Sequence, residues 1–313
     1  MKNLFNLLLL IPLLGTFLVA EGVVSGKVFY DYTRNLDDGS NAFNIKRGYL
    51  TFAKNPNENV FYQLTYDVGN NDVGSAYTAF LKVAMVKFKT SIANVTIGMQ
   101  GMNMYKTMET TWGHRFISKG SMGTYRFSPS ADLGIKVSRK FNKLFTSAMI
   151  TNGGGYKKTE DDKYKKFSIH AVYGEPKLNK ENGFNFGGSF SLEPYEVNDS
   201  NTENINVMSI FAGYSGLGFR GGLEFNTKKD ENITEQIVSI YGTYKVLNKT
   251  SLLGRLDQVG LNTSNSEDGL QAVIVGLHHS LAKGVIIAPT IRIRKPDQGD
   301  TDYLFIMNFE LKF

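Results

Sequence analysis

The sequence predicts an all-β fold, a transmembrane antiparallel β-barrel of about sixteen strands. Four observations predict it. From residue 21 onward, side chains alternate apolar and polar with a period of two. The alternating segments are about ten residues long, the length a tilted membrane strand needs. The connections between segments alternate short and long, and the first twenty residues have the layout of an export leader.

The leader comes first. Residues 1–20, MKNLFNLLLLIPLLGTFLVA, have a short basic start, an apolar run from Leu7 to Leu14, and a stretch of smaller residues ending at Ala20. We expect a secretory signal peptide over 1–20 and a barrel domain over 21–313. No later apolar run approaches the ~20 residues of a spanning helix. An exported chain without such a helix is periplasmic, secreted or an outer-membrane barrel.

The last strand shows the alternation most plainly. Tyr303, Phe305, Met307, Phe309, Leu311 and Phe313 share one face, while Asn308, Glu310 and Lys312 lie on the other. The same pattern recurs near 24–33, 43–54, 59–68, 77–88, 93–102, 131–140, 143–151, 164–174, 183–192, 203–213, 217–227, 235–246, 250–259, 269–279 and 284–294. Strand two changes phase. Phe43 and Ile45 fall on one parity and Leu50 and Phe52 on the other, which predicts a bulge near Arg47. The hairpins near 175–202 leave fourteen or eighteen strands as alternative counts. Connections after even-numbered strands are short, as at 91–94, 141–143 and 247–249. Those after odd-numbered strands are longer, as at 34–42, 69–76, 103–130, 152–163, 193–202, 228–234, 260–268 and 295–302. Amides in lipid must all be paired, so such a sheet closes on itself, and sixteen strands leave an aqueous bore.

Composition excludes other classes. Cys is 0, so there is no disulfide framework, thiolate metal site or Cys nucleophile. The net charge of +6 is spread along the chain without a like-charge block, which argues against nucleic acid. A mean hydropathy of −0.22 suits a barrel whose inner face and loops are polar.

Residues 103–130 form the longest connection. Loops of that length are functional or disordered. This one carries Trp112, Tyr105, Tyr125, Phe116 and several Met and Ile residues. It must therefore pack, and the natural place is inside the barrel, where it narrows the bore. Lys106, Arg115, Lys119 and Arg126 outnumber Glu109, its only acid, and that balance favours anions. On the strands, Lys27, Lys136, Arg220, Arg255, Arg292 and Arg294 are expected to line the pore, answered by Asp31, Asp67, Asp132, Glu224, Asp257 and Glu310. Arg255 and Asp257 share a face and are expected to pair.

Other constellations are read as structural. His278 and His279 are adjacent on a strand and point to opposite faces, so they share no metal. Met99, Met102, Met104 and Met108 suit packing between loop and wall. Asp297, Asp300 and Asp302, like Glu160, Asp161 and Asp162, lack the spacing of an EF-hand and read as solvated rim loops. Ser168 and His170 share a strand face, as in an outer-membrane phospholipase. The chain has no Gly-x-Ser-x-Gly motif and only four His, so no enzyme activity and no cofactor are expected.

The order of motifs carries a resemblance. GKVFYDY at 26–32, FNIKRGYLTF at 43–52, NVFYQLTYDVG at 59–69, TTWGHRFISKG at 110–120, ADLGIKVSRKF at 131–141, the NGGGY element inside 148–176 and SLLGRLDQVG at 251–260 are together similar to trimeric outer-membrane porins. The type is the phosphate-selective porin O/P kind in its short general-porin form, over essentially all of 21–313. The resemblance implies passive diffusion of small hydrophilic solutes and ions, with 103–130 as the constriction loop. It also implies a homotrimer in the outer membrane beside lipopolysaccharide, and Phe313 as the last-strand signal read by the barrel-assembly machinery. The dense arginine ladder and lysine cluster of phosphate-specific members find no placement here. General, anion-leaning diffusion is therefore the expectation, with a specific channel for phosphate or an organic anion as the alternative.

Overall fold

The structure is a computed structural model and describes residues 22–70, 77–160, 162–198, 201–265 and 267–313. The expected leader at 1–20 and Asp161 lie outside the described residues, as does most of the connection at 69–76. Sixteen strands form one closed barrel in which each pairs with its chain neighbours. They are β1 (Val23–Asn35), β2 (Asn41–Asn57), β3 (Val60–Asn70), β4 (Tyr77–Lys89), β5 (Asn94–Gly101), β6 (Ala131–Phe141), β7 (Leu144–Thr151) and β8 (Lys166–Gly174). The circuit continues with β9 (Gly183–Asn198), β10 (Asn201–Gly216), β11 (Phe219–Asp230), β12 (Ile233–Leu247), β13 (Thr250–Gly260), β14 (Leu270–Ala282), β15 (Val285–Pro296) and β16 (Asp302–Lys312). All pairings are antiparallel, and β1 closes on β16 with Lys27 opposite Lys312 and Asn35 opposite Leu304. The count is sixteen, neither fourteen nor eighteen.

Alternation sorts the two faces as expected. Leu133, Ile135 and Val137 of β6 point outward and are exposed, while Asp132 is buried on the inner face. Tyr62, Leu64 and Tyr66 of β3 likewise face out, with Thr65 and Asp67 inside. The outer loops depart from expectation at two places. Residues 193–198 and 201–202 belong to β9 and β10, and the loop expected at 228–234 is a turn at Glu231 and Asn232. Side chains link these hairpins to their neighbours, with Lys166 of β8 on Glu193 of β9 at 2.7 Å and the Tyr195 hydroxyl of β9 on Asp230 of β11 at 2.8 Å.

The phase change in β2 is a bulge at Lys46. Phe29 faces Arg47 and the next residue, Tyr30, faces Ile45, so Lys46 is the extra residue. A second bulge sits in β4, where Thr65 faces Val83 and Tyr66 faces Leu81, leaving Lys82 over. A bulge places one extra residue in a strand and re-aims its side chain. Each of these adds a lysine to the interior while the outward parity is kept on both sides.

The closing seam is held at its end by Phe313. Gly26 N–H donates to the Phe313 carbonyl at 2.8 Å, and Phe313 N–H returns a bond to the Gly26 carbonyl at 3.1 Å. The Phe313 ring lies on the bare Gly26 backbone, so a Cβ there would come within 2.2 Å of it. Gly26→Val is expected to displace the ring and weaken closure. Its folded, fast-migrating band in unheated detergent gels should vanish at a lower temperature than that of the parent.

Candidate functional site

The segment from 102 to 130 turns into the barrel, and two short helices, α1 (Lys106–Trp112) and α2 (Ser121–Thr124), shape it. Gly113 ends α1 in the left-handed region at φ 73°, a conformation that glycine adopts without strain. The same bare position lets the Arg220 guanidinium approach, since a Cβ would meet it at 2.6 Å.

Apolar side chains press this loop onto one half of the inner wall. Met104, Tyr105, Met108, Met122 and Phe127 pack with Val172, Val207, Phe211, Ile237 and Val259. Trp112, Phe116 and Ile117 pack with Phe29, Tyr241, Leu253 and Ile274. At about 25 cal/mol per Å² of buried apolar surface, each such side chain contributes about 1.5–3 kcal/mol. The Met expectation holds for Met102, Met104 and Met108, which are buried. Met99 instead pairs with Leu133 on the lipid-facing side.

Polar anchors complete the seating. A loop that leaves the sheet leaves its carbonyls without ladder partners, and buried carbonyls need donors. The wall supplies them. Lys46 Nζ donates to the Phe116 and Ile117 carbonyls at 3.0 and 2.8 Å. Arg292 donates to Ile117, Arg255 to Lys119, and Arg220 to Trp112. The Tyr241 hydroxyl reaches the Met108 carbonyl and the Ser189 hydroxyl that of Met104. Ser168 donates to Asn103 Oδ1 at 2.8 Å, and His170 Nε2 meets the Thr107 hydroxyl at 3.0 Å. Those two side chains thus serve the loop separately. His114 lies beneath it, where burial and then the Arg220 charge hold its pKa well below the usual value. Its Nε2 lies 2.8 Å from the Thr243 hydroxyl and 3.3 Å from the Arg220 guanidinium. His278 packs inward against His114 while His279 bonds Thr250, so the pair does point to opposite faces.

Several residues expected to line the pore are therefore under the loop. Arg255 and Asp257 pair side-on at 2.8 and 2.7 Å and are buried, with the Arg255 guanidinium over the Trp112 ring. Glu224 is buried beside Asn226. Arg220 is spent on Trp112 and His114. Trp112 itself is 1% exposed and donates to the Ser118 carbonyl, so it supports the loop from behind. Asp132 caps the Leu133 and Gly153 amides. Arg126 and Arg294 are exposed, but neither lines the two cavities described next.

The bore remains open on the side of β1–β7. Toward the short turns a cavity of about 830 Å³ is lined by Lys27, Lys82, Lys106, Lys136, Glu109 and Glu310, among others. The connection at 175–182 folds under it and buries Leu178 against Gly213 and Thr111. A smaller space of about 320 Å³ lies where loop meets wall, with Lys46, Arg47, Arg115, Lys119 and Arg292 as its charged lining. The acids nearby are Asp31, 3.5 Å from Lys46, Asp67, which takes Arg47 at 3.4 Å and Lys82 at 3.0 Å, and Glu109, 3.1 Å from Arg115. Glu109 also takes Lys106 at 3.2 Å. Burial alone would raise the Glu109 pKa, yet Lys106 and Arg115 hold it below the usual range. Lys46, Arg47 and Lys82 escaped sequence reasoning; for Lys46 and Arg47 the phase change in β2 was the available signal. Among the described residues no group of three His, Asp or Glu stands close enough to hold a metal.

A family model described as phosphate-selective porin O and P matches residues 23–236. The chain belongs to that family. It is an outer-membrane porin, a passive channel. Comparison with curated proteins gives no match. Among solved structures, OmpT of Vibrio cholerae, folded in vitro and in trimer form, aligns with a TM-score of 0.68 at 13% identity, over 94% of this porin and 99% of that chain. An anion-selective porin from Comamonas acidovorans aligns at 0.70 with 11% identity, over 94% and 99%. OprB of Pseudomonas putida aligns at 0.70 with 9% identity, over 93% and 94%. Identities at this level carry the fold alone.

Arg255→Met is expected to destabilise the porin by about 3–5 kcal/mol, because it strands the buried Asp257 charge and frees the Lys119 carbonyl. Thermal melting in detergent checks the stability. Open-channel current noise, which should rise, checks the seating of the loop.

Proposed function

We propose that this porin is a general diffusion channel for small hydrophilic solutes that favours anions, working as a homotrimer. The carrying observation is the narrow space where Lys46, Arg47, Arg115, Lys119 and Arg292 converge from both loop and wall. Of the nearby acids, Asp31 and Asp67 are buried, and Glu109 is paired with both Lys106 and Arg115. Inside a low-dielectric wall such a ring concentrates anions and repels cations. Lys27, Lys136 and Glu310 extend the lining toward the turn side. Residues 1–20 act as the cleaved signal, Phe313 as the assembly signal, and lipopolysaccharide surrounds the outer rim. Trimeric OmpT supports the trimer by analogy of fold. Ser168 and His170 each bond the loop and not one another, which supports a channel without catalysis.

Reversal potential in a KCl gradient tests this, and anion selectivity is expected; a cation-selective pore overturns it. Enclosure within the barrel, and then Arg115, Arg47 and Lys82, lower Lys119 to about 8. A base with a lowered pKa is charged below that value and neutral above it. Anion selectivity should therefore fall between pH 7 and pH 9, and Lys119→Arg should reduce that fall.

A second reading is a specific channel for phosphate or an organic anion. Five bases within about 320 Å³ favour it, as does the family's description. Chloride current titrated with phosphate separates the two readings. Saturating block at low phosphate supports specificity, and a current that is merely additive supports general diffusion.

A further inference from the structure

The connection between β7 and β8 sends a second segment into the bore. Gly153, Gly154 and Gly155 precede Tyr156, with Gly153 at φ 112° and Gly155 at φ 79°. Two left-handed glycines let the chain turn sharply inward where other residues would be strained. Gly155 lies against Pro129, and Tyr156 N–H donates to the Ala131 carbonyl at 3.0 Å, so the segment sits at the start of β6. The Tyr156 side chain then reaches across β5 and β4 to β3. Its hydroxyl donates to Asp67 Oδ2 at 2.7 Å. Its ring meets Phe80 edge-on, and the Lys82 ammonium lies 5.1 Å from its centre and 4.8 Å from that of Tyr49.

Asp67 is fully buried under this arrangement and also holds Arg47 and Lys82. One carboxylate thereby joins a bulged lysine, an arginine lining the narrow space and a tyrosine from an outer loop. The brace stands beyond the β4–β5 ladder, which begins with Ala84 opposite Met99. The adjacent Lys157 adds a contact to β4, its ammonium 4.5 Å from the centre of the Phe80 ring.

We propose that Gly153–Tyr156 is a strap that forms a second constricting element beside the 103–130 loop. Tyr156 is its latch, and through Asp67 it positions Arg47 and Lys82. The strap rests on the channel reading above. With the hydroxyl bonded to Asp67, the ring covers that side of the bore. With the bond broken, the glycines let the ring swing away, and the passage widens beside Lys82.

Single-channel recordings on the purified, full-length porin in planar bilayers test it. Tyr156→Phe keeps the ring and removes one bond to a charged acceptor, so the unlatched fraction should rise about tenfold or more. The trace should then show brief excursions to a larger conductance at unchanged ion selectivity. Tyr156→Ala should hold the larger level steadily. Asp67→Asn, which removes the same anchor from the other side, should reproduce the excursions and also shift selectivity further toward anions. Parental conductance and noise in both Tyr156 variants would overturn the strap while leaving the anion-selective channel standing. Loss of selectivity in the parent protein would instead strike the channel reading itself. Should Tyr156→Ala fail to give the folded band, the Tyr156→Phe and Asp67→Asn traces decide the matter, and quiet parental traces in both overturn the proposal.

Discussion

Lipid offers no partner for a peptide amide, and the rest of the molecule follows from that demand. Strands must pair on both edges, so β1 meets β16 and the sheet becomes a tube. Alternation then obliges every strand to present one face to hydrocarbon and the other to the interior. Sixteen strands leave an interior too wide for their own side chains to fill. The 103–130 loop occupies half of that interior, and the bore is what remains.

The same demand governs the loop. Once the chain leaves the ladder after Gly101, its carbonyls need donors that strands no longer provide. Lys46, Arg220, Arg255 and Arg292 supply them from the wall. Two of these, Lys46 and Arg292, also border the narrow space, so anchoring and charging the constriction are done by the same residues. Arg255 is different, since Asp257 and Trp112 enclose it fully. It contributes to the seating of the loop and nothing to the field in the water.

Much of the fold was legible. Period-two alternation located all sixteen strands, and the apolar content of the long loop placed it inside the barrel. What parity shows is only which face a side chain takes. It does not show whether that face meets water or protein, which is why Arg220, Glu224 and Asp257 were expected in the bore. A signal for the covered half did exist in the inward positions. Val172, Val207, Phe211, Ile237, Leu253 and Ile274 are apolar where a wet wall would be polar, and all lie on β8–β14. The bulge in β2 showed because Phe43 and Ile45 conflict with Leu50 and Phe52. The one in β4 stayed hidden because apolar residues, Leu81 before it and Val83 and Ala84 after it, stand on both sides of the break. Lys82 therefore carried no mark of its direction.

The bulged lysines have an evolutionary corollary. In a strictly alternating strand, changing what the bore presents means exchanging an existing inner side chain. Insertion of a single codon for an extra residue, as at Lys46 or Lys82, adds a charge to the passage while the greasy exterior on either side keeps its pattern. Ion preference in such a tube can thus be gained or lost by one-residue indels, a route closed to flat, unbulged walls.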